Sequence, residues 1–255
     1  MIRPPNRPEA IIFDLDDTLI GRTGRVQDAW LDAIAVLPEL TDRHDLATIV
    51  TALTAARGRA WADAQRRAGP ALDYAGARAA LVADALRELG FGDNADLAAR
   101  LAEAISHNTG RSSFLNDGAI DVLSSLRAAG IPLALLTNGE SRTQRSKIER
   151  FALEPYFTHI LVEEEIGAGK PFKEAYFTVL EHLKCAACDI WMIGDHLEND
   201  IAAAKRHDIR TVWYNPAGLP VPEDERTAPD AVIAALPELM LLFGMQRGTA
   251  GAHTA

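Results

Sequence analysis

Ala10-Ile11-Ile12-Phe13-Asp14-Leu15-Asp16-Asp17-Thr18-Leu19 joins an unbroken apolar run to a knot of acids. Residues 10–13, bounded by Pro8 and Asp14, have the length and composition of a buried strand. Similar runs recur at 131–136, 158–162, 190–193 and 209–213, with a weaker one at 230–234. Between them lie helical patterns at 117–129, 141–151, 173–183 and 198–206, the first ending at Gly130, a helix C-terminal signal. Strands alternating with helices predict an α/β fold whose parallel sheet is covered on both faces.

Residues 22–109 break this rhythm. They are rich in Ala, Leu and Arg and poor in strand formers. Leu46, Ile49, Val50 and Leu53 stand at helical spacing, as do Leu81, Ala85, Leu86 and Leu89. The expectation is a four-helix bundle at 21–109 inserted into a core formed by 1–20 and 110–243. A small, polar tail follows at 244–255.

The chain has 255 residues, 48% apolar and 24% charged, which is ordinary globular composition. Its net charge of −10, with no basic block, argues against a nucleic-acid partner but leaves room for a small anionic substrate. Cys185 and Cys188, the two cysteines, are too few for a disulfide framework. As C-x-x-C they could be half a zinc site, a redox pair or two small loop residues. The N-terminal segment lacks an apolar signal region, and no stretch approaches the ~20 apolar residues of a membrane span. A cytoplasmic protein, monomer or homodimer, is expected.

In an open α/β sheet, ligands bind beyond the carboxyl ends of the strands. Asp14 and Asp16 follow the first strand, where they could be a catalytic pair or a solvated acidic turn. A calcium loop fits poorly, because Leu19 stands at its turn glycine and Arg25 at its bidentate Glu. Three more strand ends carry suitable groups. Thr137-Asn138-Gly139 offers a hydroxyl and backbone N–H groups. Gly167-Ala168-Gly169-Lys170-Pro171 offers a cation suited to phosphate. Gly194-Asp195-His196-Leu197-Glu198-Asn199-Asp200 opens a helix with three further acids.

These four motifs, in this order and each after a strand, resemble the haloacid dehalogenase superfamily over residues 10–243. The resemblance implies a Rossmann-like core with a small helical cap. At a finer level, Thr137-Asn138-Gly139 with Thr143-Gln144-Arg145, Lys147, Ile148 and Glu149 is similar to the N-acylneuraminate-9-phosphatase branch. Val162-Glu163-Glu164-Glu165 through Lys173, and Ala228-Pro229-Asp230, are similar to bacterial pyrimidine 5′-nucleotidases.

The resemblance implies a Mg²⁺-dependent phosphatase for a small phosphorylated metabolite. Asp14 is then the nucleophile that forms an aspartyl phosphate, and Asp16 the general acid and base. Thr137, Asn138 and Lys170 bind the phosphoryl oxygens. The metal ligands would be the Asp14 side chain, the Asp16 carbonyl and Asp195, with Asp200 and Asn199 supporting them. His196 stands where Ser or Thr is commoner, and its role is open. Arg22, Arg57, Arg66 and Arg78 could read the substrate, although such residues usually face solvent. A dehalogenase would not need Asp16, and a phosphonate hydrolase would need a cap lysine, whereas no lysine precedes Lys147. A phosphomutase shares these motifs. A non-catalytic binding module would have lost a motif residue, and none is lost.

Overall fold

A computed structural model describes residues 7–22, 26–66, 74–111 and 113–245. The chain opens with β1 (Ala10–Phe13) and the short β2 (Ile20–Arg22). A helical stretch follows: α1 (Val26–Ala35), the single turn α2 (Pro38–Thr41), α3 (Leu46–Arg66), α4 (Tyr74–Glu88) and α5 (Ala95–Arg111). The chain returns through β3 (Ser113–Leu115) and then alternates through α6 (Ala119–Ala128), β4 (Leu133–Thr137), α7 (Ser141–Arg150), β5 (His159–Val162), α8 (Glu163–Ile166) and α9 (Lys173–Leu183). Last come β6 (Ile190–Gly194), α10 (Ala203–Lys205), β7 (Arg210–Tyr214), β8 (Ala231–Ile233) and α11 (Glu238–Leu242).

Six strands form one sheet in the order β5-β4-β1-β6-β7-β8, all neighbours parallel. Strand β1 is central, and Phe13 stands opposite Leu135 of β4 and Ile193 of β6. Alternation along the strands divides the core. Ile11, Phe13, Leu135 and Ile193 pack with Leu123 and Leu126 of α6 and Leu239 of α11. Ala10, Ile12, Leu136 and Met192 pack on the other face with Tyr176 and Val179 of α9.

The chain divides into two compact units. One holds the sequence up to Gly21, Leu115–Asn138 and everything from Ile148; the other holds Arg22–Phe114 and Gly139–Lys147. The expected boundary at 109–110 therefore falls inside α5. The second unit also takes the first turns of α7, because Arg78 pairs with Glu140 at 2.9 Å and Arg142 with Glu103 at 3.0 Å. Its core contains Trp30, Ile34, Ile49, Leu53, Leu86, Leu97 and Leu101, while Leu46 faces outward despite its helical spacing.

Strands β2 and β3 pair with each other in a separate ribbon. Three-residue strands show no alternation for a sequence reading to detect. The expected tail is described only through Met245, and 246–255 lie outside the described residues. Among the described residues, no helix is long and apolar enough to cross a membrane.

A carboxylate clasp closes the last strands: Asp230 accepts from the Thr211 N–H at 2.8 Å and from its hydroxyl at 2.9 Å. Hydrogen bonds to a charged acceptor are each worth about 1.5–3 kcal/mol. Asp230→Ala is therefore expected to lower unfolding stability by about 2 kcal/mol or more in urea titration; a change within experimental error would show that the clasp contributes nothing.

Candidate active site

Asp14 follows β1 directly, and its N–H donates to the Ile193 carbonyl at 2.9 Å. This bond continues the β1–β6 ladder one residue further and fixes where the acid emerges. The Asp14 side chain is buried. Its Oδ1 accepts from Lys170 Nζ at 2.6 Å, and the same ammonium donates to Asp200 Oδ1 at 2.7 Å. One carboxylate oxygen each of Asp14, Asp195 and Asp200 lie within 4.8 Å of one another. Acids and lysine expected at three separate strand ends thus share one cluster.

Asp16 is half-buried in a tight turn, where the N–H groups of Leu19 and Ile20 both donate to the Leu15 carbonyl at 3.0 and 2.9 Å. Asp17 takes a left-handed φ of 63° and donates its N–H to the Ile20 carbonyl at 2.7 Å. The turn is tied to β6 by the buried Thr18, whose hydroxyl lies 3.5 Å from Asp195 Oδ1. Asn116 holds it from the other side: its amide donates to the Thr18 carbonyl at 2.7 Å and its N–H to the Leu19 carbonyl at 2.9 Å. No local signal in the sequence points to this support, because the two partners are 98 positions apart.

Thr137 is buried at the end of β4, and Asn138 follows it directly. The Asn138 side chain is turned onto Lys170: Nδ2 donates to the Lys170 carbonyl at 2.6 Å and Oδ1 accepts from the Lys170 N–H at 2.8 Å. After β6, a π-helical turn at Leu197–Ala202 brings Asp200 back, and Asp200 Oδ2 accepts from the His196 N–H at 3.0 Å. His196 caps that turn. Its Nδ1 accepts from the N–H groups of Glu198 and Asn199, both at 3.2 Å, so the proton of the neutral ring sits on Nε2. The Asn199 carbonyl accepts from the Tyr176 hydroxyl, and the Asp195 carbonyl from Trp213 Nε1 at 2.8 Å.

Of the four arginines considered for substrate recognition, Arg57 is exposed. Arg78 is committed to Glu140 and, at 3.2 Å, to Ser106. The side chains of Arg22 and Arg66 lie outside the described residues. Cys185 donates to the Leu183 carbonyl at 3.2 Å, and Cys188 is exposed; the two are not joined in a disulfide. Among the described residues, neither belongs to a group of three or more side chains spaced for a metal.

The cluster carries a surplus of negative charge. Burial pushes the Asp14 carboxyl up to about 8, against the pull of Lys170 and with Asp200 and Asp195 adding to the rise. Burial and the neighbouring Asp200 and Asp17 raise Asp195 to about 7. Burial alone would lower the Lys170 ammonium, but Asp14 and Asp200 outweigh it and hold its pKa above the ordinary value. Asp14 Oδ2 is buried without a hydrogen-bond partner. A buried carboxylate with one orphaned oxygen, clustered with two more acids, offers hard oxygen donors that fit a small divalent cation such as Mg²⁺.

The sequence profile of the haloacid dehalogenase-like hydrolases matches residues 8–208. The chain belongs to that family. This hydrolase is 28% identical to N-acylneuraminate-9-phosphatase of Mus musculus over 257 residues, covering 93% of this chain and 94% of that protein. It is 31% identical to pyrimidine 5′-nucleotidase YjjG of Escherichia coli over 127 residues, 49% of this chain and 55% of that one. It spans about half the length of several other curated relatives, including a Thermus thermophilus phosphoserine phosphatase. The solved structure of the HAD-hydrolase YfnB of Bacillus subtilis, bound to magnesium, superposes with a TM-score of 0.72 at 26% identity, covering 94% of this chain and 100% of that one.

In this hydrolase Asp200 lies so close to Gly194 that a Cβ there would stand 2.4 Å from the Asp200 Cγ. Gly194→Ala is expected to displace Asp200 from Lys170 and to lower stability by about 1–3 kcal/mol, the usual range for overpacking. Urea unfolding measures it; a variant as stable as the parent would mean that the approach is not constraining.

Proposed function

We propose that this chain is a Mg²⁺-dependent phosphomonoesterase that works through an aspartyl phosphate on Asp14. The observation that carries the reading is a buried carboxylate with one oxygen on an ammonium and the other without a partner. Lys170 favours the ionised, nucleophilic form of Asp14. The Asp14 carboxylate attacks phosphorus as the ester P–O bond breaks, and Asp16 gives its proton to the leaving oxygen. Asp16 then takes a proton from the water that attacks the aspartyl phosphate, releasing phosphate and restoring Asp14. The Thr137 hydroxyl, the Asn138 N–H and the Lys170 ammonium bind the phosphoryl oxygens and offset the charge that develops on them.

The Asp14 side chain, the Asp16 carbonyl and Asp195 would hold Mg²⁺, which when bound supplies positive charge beside the transferring group. Asp200 keeps Lys170 in place, and Asn199 fixes the turn that carries Asp200.

The substrate class is a small phosphorylated metabolite, either a sugar phosphate like N-acylneuraminate 9-phosphate or a nucleoside 5′-monophosphate. The near-full-length relative is named for the first, so a substrate panel begins there. Phosphate release is expected with Mg²⁺ and not in EDTA. Turnover of a haloacid in EDTA would support a dehalogenase instead, since that reaction needs neither Asp16 nor a cation. Asp14→Asn should lower kcat on the order of 10³-fold or more while the protein stays folded; near-native turnover would remove Asp14 from the nucleophile's role.

Cation binding is also expected to depend on pH. With Asp14 raised to about 8 and Asp195 to about 7, both take up protons as pH falls through that window, and those protons must leave before the cation binds. Mg²⁺ affinity measured by calorimetry should therefore be weaker at about pH 6 than at about pH 8.5, roughly tenfold per pH unit for each proton displaced. Affinity unchanged over that range would mean the carboxylates are already ionised without the metal.

A further inference from the structure

Lys170 has a long side chain with several rotatable bonds, yet its ammonium reaches two carboxylates at 2.6 and 2.7 Å and its side chain is only 3% exposed. Such placement requires a fixed backbone. Lys170 lies in the loop between α8 and α9, outside any strand or helix, so no ladder holds its main chain. Gly169 before it leaves no room for a Cβ, which would stand 2.2 Å from the Glu163 Cδ. Pro171 after it has no N–H to give.

The Asn138 amide supplies what the loop lacks. It donates to the Lys170 carbonyl at 2.6 Å and accepts from the Lys170 N–H at 2.8 Å, so both polar ends of one side chain are spent on both main-chain groups of one residue. Only one orientation of the amide satisfies both bonds, since Nδ2 must face the carbonyl and Oδ1 the N–H. The side chain thus acts as a one-residue strand neighbour, joining the end of β4 to the lysine loop across 32 positions.

We infer that the Asn138 side chain is a positioning residue that holds the Lys170 backbone so that its ammonium reaches Asp14 and Asp200. This role is separate from the phosphate contact proposed for the Asn138 backbone N–H. The catalytic consequence rests on the phosphatase reading; the clamp rests on geometry. A displacement of about 1 Å at a reacting group is worth about 100-fold in rate. Hydrophobic truncation removes both bonds, and Asn138→Asp keeps the acceptor but sets an oxygen against the Lys170 carbonyl.

The experiment uses the full chain with Asn138→Ala, Asn138→Asp, Lys170→Ala and the Asn138→Ala/Lys170→Ala pair. The kcat of phosphate release is measured with Mg²⁺ on the best panel substrate. Both Asn138 variants should lose about 100-fold, and the double variant should be no slower than Lys170→Ala alone, because a lost clamp cannot hurt a lysine already absent. A second readout does not need turnover: acylation of each lysine by a succinimidyl ester, followed by mass spectrometry. Lys170 should label ~10-fold faster in Asn138→Ala, from local opening, while Lys173 and Lys205 stay unchanged. If the parent protein turns over nothing on the panel, the phosphatase reading falls and the labelling still decides the clamp. Unchanged Lys170 labelling in a folded Asn138→Ala, or a double variant slower than Lys170→Ala by a further 100-fold, would overturn the inference. Lys170→Gln replaces Lys170→Ala if the latter does not fold.

Discussion

A buried ammonium between two carboxylates organises this molecule. Lys170 Nζ reaches Asp14 and Asp200, which arrive from the ends of β1 and β6, while the lysine itself comes from the loop after β5 and α8. Breaking a buried ion pair by removing one partner typically costs about 3–5 kcal/mol, because the remaining charge is stranded. Three sheet-end segments therefore cannot drift apart without a large penalty. The central position of β1 makes this geometry available: its carboxyl end is flanked on both sides, by β4 with Thr137 and by β6 with Asp195.

The ion cluster leaves a negative surplus, and the supporting residues are arranged around it. Thr18 and Asn116 steady the turn that carries Asp16. His196 caps the turn that returns Asp200, and Gly194 makes space for that carboxylate. Asn138 anchors the lysine loop. The raised pKa values of Asp14 and Asp195 come first from burial, with the neighbouring carboxylates adding to the rise. Buried carboxylates with raised pKa values, gathered in one cluster, are a common mark of a functional site.

Much of this was legible in the sequence. The run at 10–13 was apolar throughout because β1 is buried on both faces, and the acids after it stood where an open sheet places ligands. The positions of Thr137, Lys170 and Asp195 at the carboxyl end of the sheet were legible because each closed a strand or followed one within a short loop. The supports were not. Asn116 and Asn138 act on residues 98 and 32 positions away, and neither local propensity nor spacing encodes such a partner. His196 was legible only as an unusual residue; that its Nδ1 caps the following turn depends on a backbone bend. Strands β2 and β3 were too short to carry a pattern, and the first turns of α7 joined the helical unit through Arg78–Glu140 and Arg142–Glu103, pairings invisible to periodicity.

In the proposed reaction Asp14 carries the phosphoryl group during turnover. Rapid acid quench of the Mg²⁺-loaded protein with a turned-over phosphomonoester, followed by peptide mass spectrometry, tests it directly. A hydroxylamine-sensitive phosphoryl adduct is expected on the peptide containing Asp14, absent in Asp14→Asn. Steady turnover with no adduct on any aspartate, or an adduct on a different residue, would contradict it.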